Sequence, residues 1–497
     1  WPAVHVVPGG PGSALTELLI GGELVGGGAG SFPTVNPATE EPLGTAADAD
    51  GADMERAIGA ARAAFDGTDW SRDPALRVHC LRQLRDALKA EIAGLREITV
   101  AEVGAPVTFT YGPHLEGPVD DLAYPADTAE RYSWRTDLGV ATPMGVSSRR
   151  TLFREPFGVV GAVTPFNFPH QINLAKLGPA LAAGNTVVLK PAPETPWCAA
   201  HIGRIIAERT DFPPGVVNIV TSGDPRLGAQ LSSDPRVDMV SFTGSTATGR
   251  AVMTAAAATI KKVFLELGGK SAFLVLDDAD LGRAAAAAAV AVSRHAGQGC
   301  AFTTRLLVPR GRYDEAVAAA AEAMRAIPAG DPADPATVCG PLISARQRDR
   351  VQGYLDLAVA EGGSFACGGR RPPGLARGYF IEPTVIRGLT NAARVAREEI
   401  FGPVLVVLAY DGDDDAVRIA NDSPYGLSAT VWGADLDRVD RVVARLRAGT
   451  INVNGGVWYS ADVPFGGYKQ SGVGREMGLA GFEEYLETKL VATAVNA

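Results

Sequence analysis

The chain has 497 residues, a formal net charge of −10 and an isoelectric point near 5.3, and this length suffices for two or more domains. Hydrophobic residues make up 46%, charged residues 21%, and mean hydropathy is +0.07, values that exclude a disordered or fibrous chain. The acidic balance leaves no basic surface for nucleic acid, and we expect none as a partner.

The cysteines and histidines narrow the chemistry further. Five cysteines are scattered without close pairing, and their odd number argues against a disulfide framework or a zinc ribbon. We therefore expect a reduced, cytoplasmic protein. No histidine pair at helical spacing adjoins a glutamate, so we expect no metal site. The longest uncharged stretch, 157–175, contains two prolines and several polar side chains, so we expect no membrane span.

The first hundred residues predict loops followed by helices. Glycine and proline dominate residues 1–50, which favours loops and short edge strands. A helix is predicted from about 52 to 65, and a longer one from 74 to about 100. Apolar residues recur in the longer helix at steps of three and four, and we expect Cys80 to join the packing face that they form. They are Leu81, Leu84, Leu88, Ile92 and Leu95.

A parallel sheet is predicted after an irregular segment. Residues 125–155 lose periodicity and are interpreted as an excursion or arm. Short β-branched runs then begin near residues 158, 186, 216, 239 and 262, with helical segments between them. Their spacing of 22 to 30 residues is typical of βαβ units, so residues 158–268 are a candidate nucleotide domain.

Three features of this region indicate a ligand at the carboxyl ends of its strands. FTGSTATGR, 242–250, follows a strand and opens a helix, so its free N–H groups could meet a phosphate. It is not GxGxxG, and a plain tight turn with Ser245 as the helix N-cap remains an equal alternative. Lys190 ends a second strand, and Asn167 stands between two phenylalanines at the end of a third.

A carboxylate and a thiol stand out in the stretch 264–300. Glu266 interrupts an apolar run just before Gly268 and Gly269, and Cys300 follows an alanine-rich segment through GQG. Each has an ordinary interpretation, since free cysteines are usually buried and a lone glutamate often lies at a solvated strand end. Together they could supply an attacking thiolate and a base that activates water.

A second α/β region follows Cys300. Strands are predicted near residues 305, 404, 428 and 450, with alanine-rich helices between them. The segments EEIFGPV, 398–404, and PFGGYKQSGVGREMG, 464–478, are too rich in glycine for regular elements, and such loops often carry function.

With these pieces placed, the chain resembles the aldehyde dehydrogenase superfamily from about residue 36 to 489. Seven motifs occur in the right order: PFNFP, LKPAPETP, FTGSTATG, LELGGKS, GQGC, EEIFGPV and PFGGYKQSG. The resemblance implies an α/β fold with a Rossmann-type cofactor domain, a second α/β catalytic domain and a small β oligomerisation arm. The implied bounds are 15–130 with 155–265 for the cofactor domain, 266–465 for the catalytic domain, and 131–154 with 480–497 for the arm and tail.

The resemblance also implies roles for the matching residues. Cys300 would be the nucleophile and Glu266 the general base, and the Asn167 amide and the Cys300 N–H would form the oxyanion hole. The reaction would oxidise an aldehyde to the acid through a thioester.

NAD would be the cofactor, with NADP possible. Lys190 would bind the adenosine ribose, Gly244 and Ser245 would border the pyrophosphate, and Glu399 and Phe401 would hold the nicotinamide ribose and ring. The remaining implied cofactor contacts are Thr164, Pro165, Phe166, Asn167 and Leu267.

Several positions depart from the family pattern. The third residue after Lys190, often a glutamate that opposes a 2′-phosphate, is Pro193, with Glu194 next to it. The preference for NAD over NADP is therefore less firmly specified. His295, Arg294 and Phe166 replace residues common in the family, near the expected substrate passage.

Two other functions compete with hydrolytic oxidation. A CoA-acylating or reductive member commonly lacks the glutamate of LELGGKS, and a catalytically inactive structural member would lose Cys300, Glu266 or Asn167. All three residues are present, which favours a hydrolytic enzyme with a small-molecule aldehyde substrate. Because the arm and the tail would leave sheet edges exposed in a monomer, we expect a homodimer or homotetramer.

Overall fold

The structure is a computed structural model, and it describes residues 16–495. Strands and helices are numbered in chain order. The strands are β1 (Leu18–Ile20), β2 (Glu23–Val25), β3 (Ser31–Val35), β4 (Pro42–Ala47), β5 (Arg135–Ala141), β6 (Ser148–Pro156), β7 (Val159–Val163), β8 (Thr186–Lys190), β9 (Val217–Ile219), β10 (Met239–Thr243), β11 (Lys262–Glu266), β12 (Ser271–Val275), β13 (Thr303–Pro309), β14 (Ser364–Cys367), β15 (Thr384–Arg387), β16 (Val404–Tyr410), β17 (Ser428–Trp432), β18 (Thr450–Val453), β19 (Gly472–Val473) and β20 (Leu486–Ala494).

The α-helices are α1 (Gly51–Gly67), α2 (Pro74–Ala90), α3 (Ile92–Ile98), α4 (Glu116–Asp121), α5 (Ala123–Arg131), α6 (Pro169–Ala183), α7 (Pro196–Arg209), α8 (Arg226–Ser233), α9 (Thr246–Ala256), α10 (Leu281–Ser293), α11 (Tyr313–Arg325), α12 (Ala345–Ala360), α13 (Arg394–Arg397), α14 (Gly412–Asn421), α15 (Leu436–Val443) and α16 (Gly478–Glu483).

The first large sheet has the strand order β19-β11-β10-β7-β8-β9-β1-β2. Its five central strands, β11 to β9, are parallel, and antiparallel strands close both edges. The chain leaves β7 toward β8 and β9 on one side and later returns to β10 and β11 on the other. In such a sheet, ligands bind outside the carboxyl ends where the strand order reverses, here between β7 and β10. The predicted parallel sheet is confirmed.

The second large sheet has the order β14-β15-β16-β13-β12-β17-β18. All its strands are parallel except β14 at one edge. The chain passes into it from the first sheet through four residues, 267–270, between β11 and β12. The sheet around the strands predicted near 305, 404, 428 and 450 is confirmed, so the α/β fold class implied by the resemblance holds.

Both sheets are buried on their two faces, as continuous apolar strands require. Alternate residues of β7 and β8 enter different cores: Val160 and Leu189 pack on one side of the sheet, Val159 and Val188 on the other. In the second sheet the residues of β12 and β13 divide in the same way between two further cores. Helices therefore cover both faces of each sheet, and an accessible site lies at the ends of the strands.

The prediction of one continuous helix from 74 to about 100 is wrong. It ends at Ala90, resumes at Ile92, and continues as a π-helical turn over Thr99–Val103. Glu91 stands at the break, where its carboxylate lies 2.6 Å from the ring Nε2 of His201 and 3.1 Å from Arg204 of α7. The predicted packing face itself is confirmed, since Cys80 and the leucines of the periodic set are buried.

The segment interpreted as an arm begins as a helix and then forms a hairpin. α5 occupies 123–131, and β5 and β6 pair with β20 in a three-stranded sheet of order β20-β6-β5. β20 runs antiparallel to β6 over nine residue pairs, from Leu486 with Pro156 to Ala494 with Ser148. The predicted arm and tail therefore form one sheet.

Three strands of the second sheet were not predicted from the sequence. β12, β14 and β15 were not predicted, and β12 lies near the centre of the second sheet. The predicted loops of residues 1–15, the first residue of the predicted cofactor domain and the last two of the predicted tail lie outside the described residues. In the part of the chain that the structure describes, no helix has the length and apolar character needed to cross a membrane.

Arg305 of β13 is expected to be a major source of stability. Its guanidinium is buried and donates to the backbone carbonyls of Lys270, Ile419 and Ala420 at 2.8–3.0 Å. Arg305→Met removes these donors and leaves buried carbonyls unpaired, a loss on the order of 3 kcal/mol. Urea unfolding should show a lower midpoint.

Arg310→Met is the matched control, since Arg310 lies just after β13 and its side chain is 62% exposed in a pair with Asp411. Its free energy of unfolding should change by less than about 0.5 kcal/mol, so its urea midpoint should stay close to that of the unmodified chain. Equal midpoints for the unmodified chain and Arg305→Met would contradict the prediction.

Candidate active site

The site lies at the carboxyl ends of β7, β8, β10 and β11, beside a cavity of about 460 Å³. β7 and β8 are tied together there, since the N–H of Thr164 donates to the carbonyl of Lys190 at 3.1 Å. Ten of the twelve predicted site residues line the cavity, and the other two, Thr164 and Lys190, do not. The ten are Pro165, Phe166, Asn167, Gly244, Ser245, Glu266, Leu267, Cys300, Glu399 and Phe401.

Cys300 lies in a turn beyond α10. It is half-buried, whereas the other four cysteines are buried. Burial raises the pKa of its thiol, and the negative charges of Glu266, Glu399 and Glu476 raise it further. The thiol is therefore accessible and protonated in the resting protein, and the thiolate requires a proton acceptor.

Glu266 ends β11 as a buried carboxylate, 2% exposed. Neither of its oxygens has a hydrogen-bond partner among the residues that the structure describes. Burial raises its pKa well above the ordinary value, and the nearby charge of Glu476 adds to this, while Lys176 and Arg475 oppose it. A carboxylate with a raised pKa is a base of the strength that proton transfer near neutral pH requires.

A buried ionic network stands behind Glu266. Glu476 accepts from the ammonium of Lys176 at 3.0 Å, and Lys176 also donates to the Ser241 hydroxyl at 3.1 Å. The Ser241 hydroxyl lies 3.0 Å from that of Tyr485. Sequence reasoning missed this network, because its members come from four separate segments of the chain.

Asn167 is held against the segment that carries Cys300. Its side-chain amide donates to the carbonyl of Gln298 at 2.9 Å, two residues before the thiol. The Gln298 side chain in turn accepts from the N–H of Ile343 at 2.9 Å. One N–H of the Asn167 amide is thus used to fix its orientation, and the second is available for a ligand.

The turn after β10 offers polar groups to the cavity. Ser245 caps α9, and its hydroxyl accepts from the N–H of Thr248 at 3.2 Å. Ser245 is therefore the N-cap of α9, and it also lines the cavity. The Thr243 hydroxyl beside it is buried without a partner in the described chain.

The loop of EEIFGPV closes the other side of the cavity. Glu399 accepts from the N–H of Gly269 at 2.9 Å. Phe401 has a φ of 62°, a strained conformation for a bulky side chain, and its ring meets Phe166 edge to face at 5.9 Å. Gly297 packs so closely on Gly402 that a Cβ would overlap its carbonyl group. The loops of Cys300 and Phe401 are therefore in direct backbone contact.

Lys190 and Glu194 do not line the cavity. The ammonium of Lys190 is buried, with Ser222 carbonyl as its hydrogen-bond acceptor at 3.5 Å within the described residues. Glu194 forms an ion pair with Arg346 of α12 at 2.8 Å. Sequence reasoning missed the three residues of α12 that line the cavity, because ARQRDR matches no motif. They are Arg346, Gln347 and Arg350.

The three departures from the family pattern are placed differently. Phe166 lines the cavity, and Arg294 is exposed. His295 is buried, with ring centroids 4.4 Å from His114 and 5.4 Å from Phe168. Burial lowers the pKa of His295 to about 4, so its ring is neutral near pH 7.

The residues present fit a bound dinucleotide. Thr243 and Glu266 carry polar groups that have no hydrogen-bond partner within 16–495, and both residues line the cavity. The amino end of α9 borders the same cavity and can accept a phosphate. Across residues 16–495 no cluster of three or more His, Cys, Asp or Glu side chains is arranged to hold a metal ion.

Comparisons with known proteins agree with this geometry. The family model described as "Aldehyde dehydrogenase family" matches residues 25–491. A 3-succinoylsemialdehyde-pyridine dehydrogenase of a Pseudomonas species is 42% identical over 96% of this chain and 98% of its own. An aldehyde dehydrogenase C mutant of Pseudomonas syringae, solved with NAD+ and octanal, is 39% identical with a TM-score of 0.91, covering 97% of both chains. A Mycobacterium tuberculosis aldehyde dehydrogenase solved with NAD+ is 40% identical with a TM-score of 0.92, covering 97% of this chain and 99% of that one.

We expect Cys300 to be the thiol that reagents reach in the folded protein. Iodoacetamide at neutral pH should label it first, and the labelling rate should rise with pH because the thiol pKa is raised and the thiolate is the reactive form. Peptide mass spectrometry over a pH series measures this directly. Faster labelling of buried Cys339 than of Cys300, or a rate independent of pH, would contradict it.

Proposed function

The chain belongs to the aldehyde dehydrogenase family, and we propose that Cys300, Glu266 and Asn167 perform its reaction. The enzyme oxidises an aldehyde to the carboxylic acid with NAD. The observation that carries the assignment of residues is a half-buried thiol and an unpaired buried carboxylate on one cavity at the end of a dinucleotide-type sheet.

In the first half of the reaction the Cys300 sulfur, as thiolate, adds to the aldehyde carbon. The carbonyl oxygen becomes an alkoxide, which accepts hydrogen bonds from the free N–H of the Asn167 amide and from the Cys300 backbone N–H. Donors of this kind contribute roughly 10²–10³ in rate each. Bound NAD supplies the acceptor for the hydride that leaves the same carbon. The product on the enzyme is a thioester of Cys300.

In the second half Glu266 takes a proton from water, and the resulting hydroxide attacks the thioester carbon. The C–S bond breaks, the acid leaves, and the sulfur regains a proton. Glu266 suits this role because its carboxylate accepts no hydrogen bond from the residues that the structure describes. The same carboxylate disfavours the CoA-acylating alternative, in which water must be kept from the thioester.

We propose the cofactor contacts from the residues that line the cavity and from the strand ends beside them. Ser245 and Gly244 at the amino end of α9 would take the pyrophosphate, and Lys190 at the end of β8 the adenosine ribose. Glu399 and Phe401 would hold the nicotinamide ribose and ring. Pro165, Phe166 and Leu267 would complete the walls of the cofactor site, and Thr164, which does not line the cavity, would contact the cofactor from the end of β7.

We propose that the cofactor domain comprises 15–130 and 155–265, the catalytic domain 266–465, and the arm and tail 131–154 and 480–497. The two large sheets and the short link between β11 and β12 support this division. Hydrogen exchange in which both sheets opened as one unit would contradict it.

We also propose a cytoplasmic location, supported by the five unpaired cysteines. A native intramolecular disulfide in the isolated protein would contradict that location.

Glu266→Gln should separate the two halves of the reaction. The amide cannot take a proton, so a single burst of NADH per Cys300 should form and steady turnover should fall by roughly 10²–10⁴-fold. Stopped-flow absorbance with excess aldehyde measures both phases.

Cys300→Ala is the control, since it should lose the burst and the turnover while still binding NAD. If Glu266→Gln binds NAD and aldehyde but gives no burst, then Glu266 acts before the thioester forms and the assignment to hydrolysis is wrong.

We propose further that the enzyme is a homodimer or homotetramer assembled through the arm sheet. β20 is exposed along most of its length, and apolar side chains on it, such as Leu490 and Val491, face solvent in the single chain. Leu490→Lys should therefore lower the molar mass of the assembly in solution, as measured by light scattering. Leu436→Lys, equally exposed at 59% against 58%, is the control and should leave the mass unchanged. A monomeric unmodified protein would contradict the proposal.

A further inference from the structure

The cavity is lined by a cation, Arg346, that belongs to no motif of the sequence. Arg346, in the first turn of α12, is 83% exposed on its side chain, and it lines the same cavity as Ser245 and Cys300. It is held there by Glu194, whose side chain is only 18% exposed. The ion pair thus connects α12 to the residues that follow β8.

The charges around Lys190 can be counted. Glu194, Asp224 and Asp48 are the carboxylates that act on its ammonium. Two of them are ion-paired, Glu194 with Arg346 at 2.8 Å and Asp224 with Arg226 at 2.7 Å. The cluster therefore has three cations, Lys190, Arg226 and Arg346, and the three carboxylates just named, so its net charge is zero. A carboxylate at Pro193 would have made it negative.

We propose that Arg346 is a specificity-determining residue that lets the adenosine end of the cofactor site accept a 2′-phosphate, so that the enzyme uses NADP as well as NAD. The inference rests on the proposed function, since it requires that the adenosine ribose lie beside Lys190. The ligand class is an adenosine nucleotide with a phosphate on the 2′-oxygen.

The chemistry of the pair explains why the arginine matters. A guanidinium can donate two parallel hydrogen bonds to a phosphate, and such charge-assisted bonds are stronger than neutral ones. Arg346 is exposed, so its guanidinium can turn toward a phosphate, although it then gives up its contact with the largely buried carboxylate of Glu194. Glu194 opposes the phosphate in two ways, because it adds a negative charge and competes for the same guanidinium.

The two members of the pair should therefore act in opposite directions. Arg346→Gln leaves the cluster with a net negative charge, and it should weaken the binding of adenosine 2′,5′-bisphosphate by about tenfold. Glu194→Gln leaves a net positive charge and frees Arg346, so it should strengthen that binding by several fold. Both variants should bind 5′-AMP within about twofold of the unmodified protein. Titration calorimetry with the two nucleotides measures these affinities without any substrate.

Arg348→Gln is the matched control on the same helix, because Arg348 pairs with Asp349 and does not line the cavity. It should change neither affinity. The ratio of kcat/KM for NADP to that for NAD should follow the bisphosphate affinities across all variants.

Two results would overturn different statements. If all variants bind the bisphosphate equally while 5′-AMP binds normally, Arg346 has no role and this inference is wrong. If 5′-AMP does not bind the unmodified protein at all, the proposed dinucleotide site itself is wrong.

Discussion

The desolvated carboxylate of Glu266 is the constraint around which the site is arranged. Burying a carboxyl group that has no hydrogen-bond partner within residues 16–495 is costly and raises its pKa, and proteins keep such a group only where the surrounding structure holds it in place. Glu266 is held because it ends a central strand of the first sheet, and because Gly466 of the PFGG loop packs directly on it. A Cβ at Gly466 would lie 2.8 Å from Oε1 of Glu266.

The same close packing joins the segment of Cys300 to the loop of Phe401. Gly297 lies against Gly402, and Gly269 lies near enough to the carbonyl of Cys300 that a Cβ would come within 2.6 Å of it. Glycine is needed at these positions because any side chain would separate the backbones. The strain at Phe401 lies in the same contact region, as is usual where a site fixes a ligand. Cys300, Glu266 and the Phe401 loop are therefore packed into one contact region, although they come from distant parts of the chain.

Much of this could be predicted from the sequence, and the exceptions have physical causes. The parallel strands were visible because both of their faces are buried, which makes them continuous apolar runs between helices. β12 was missed because SAFLV follows LELGG so closely that the two strands merge into one apolar pattern, although they belong to different sheets. The break at Glu91 depends on His201 and Arg204, which are far away in sequence. Arg346 could not be found because a charged helix surface has the same pattern whether it faces water or a cavity.

The raised pKa values of Cys300 and Glu266 are linked rather than independent. Burial raises both, and the negative charge of Glu266 adds to the raising effect on the thiol. The two groups therefore resist being ionised together and titrate as a coupled pair. Ionising the thiol while Glu266 is charged would place a second uncompensated negative charge in the buried site, which disfavours the thiolate. Acylation of the sulfur ends this coupling, whereas the burial and the charge of Glu476 that raise the pKa of Glu266 remain, opposed by Lys176 and Arg475. The buried network behind Glu266, and not the state of Cys300, therefore sets the strength of Glu266 as a base.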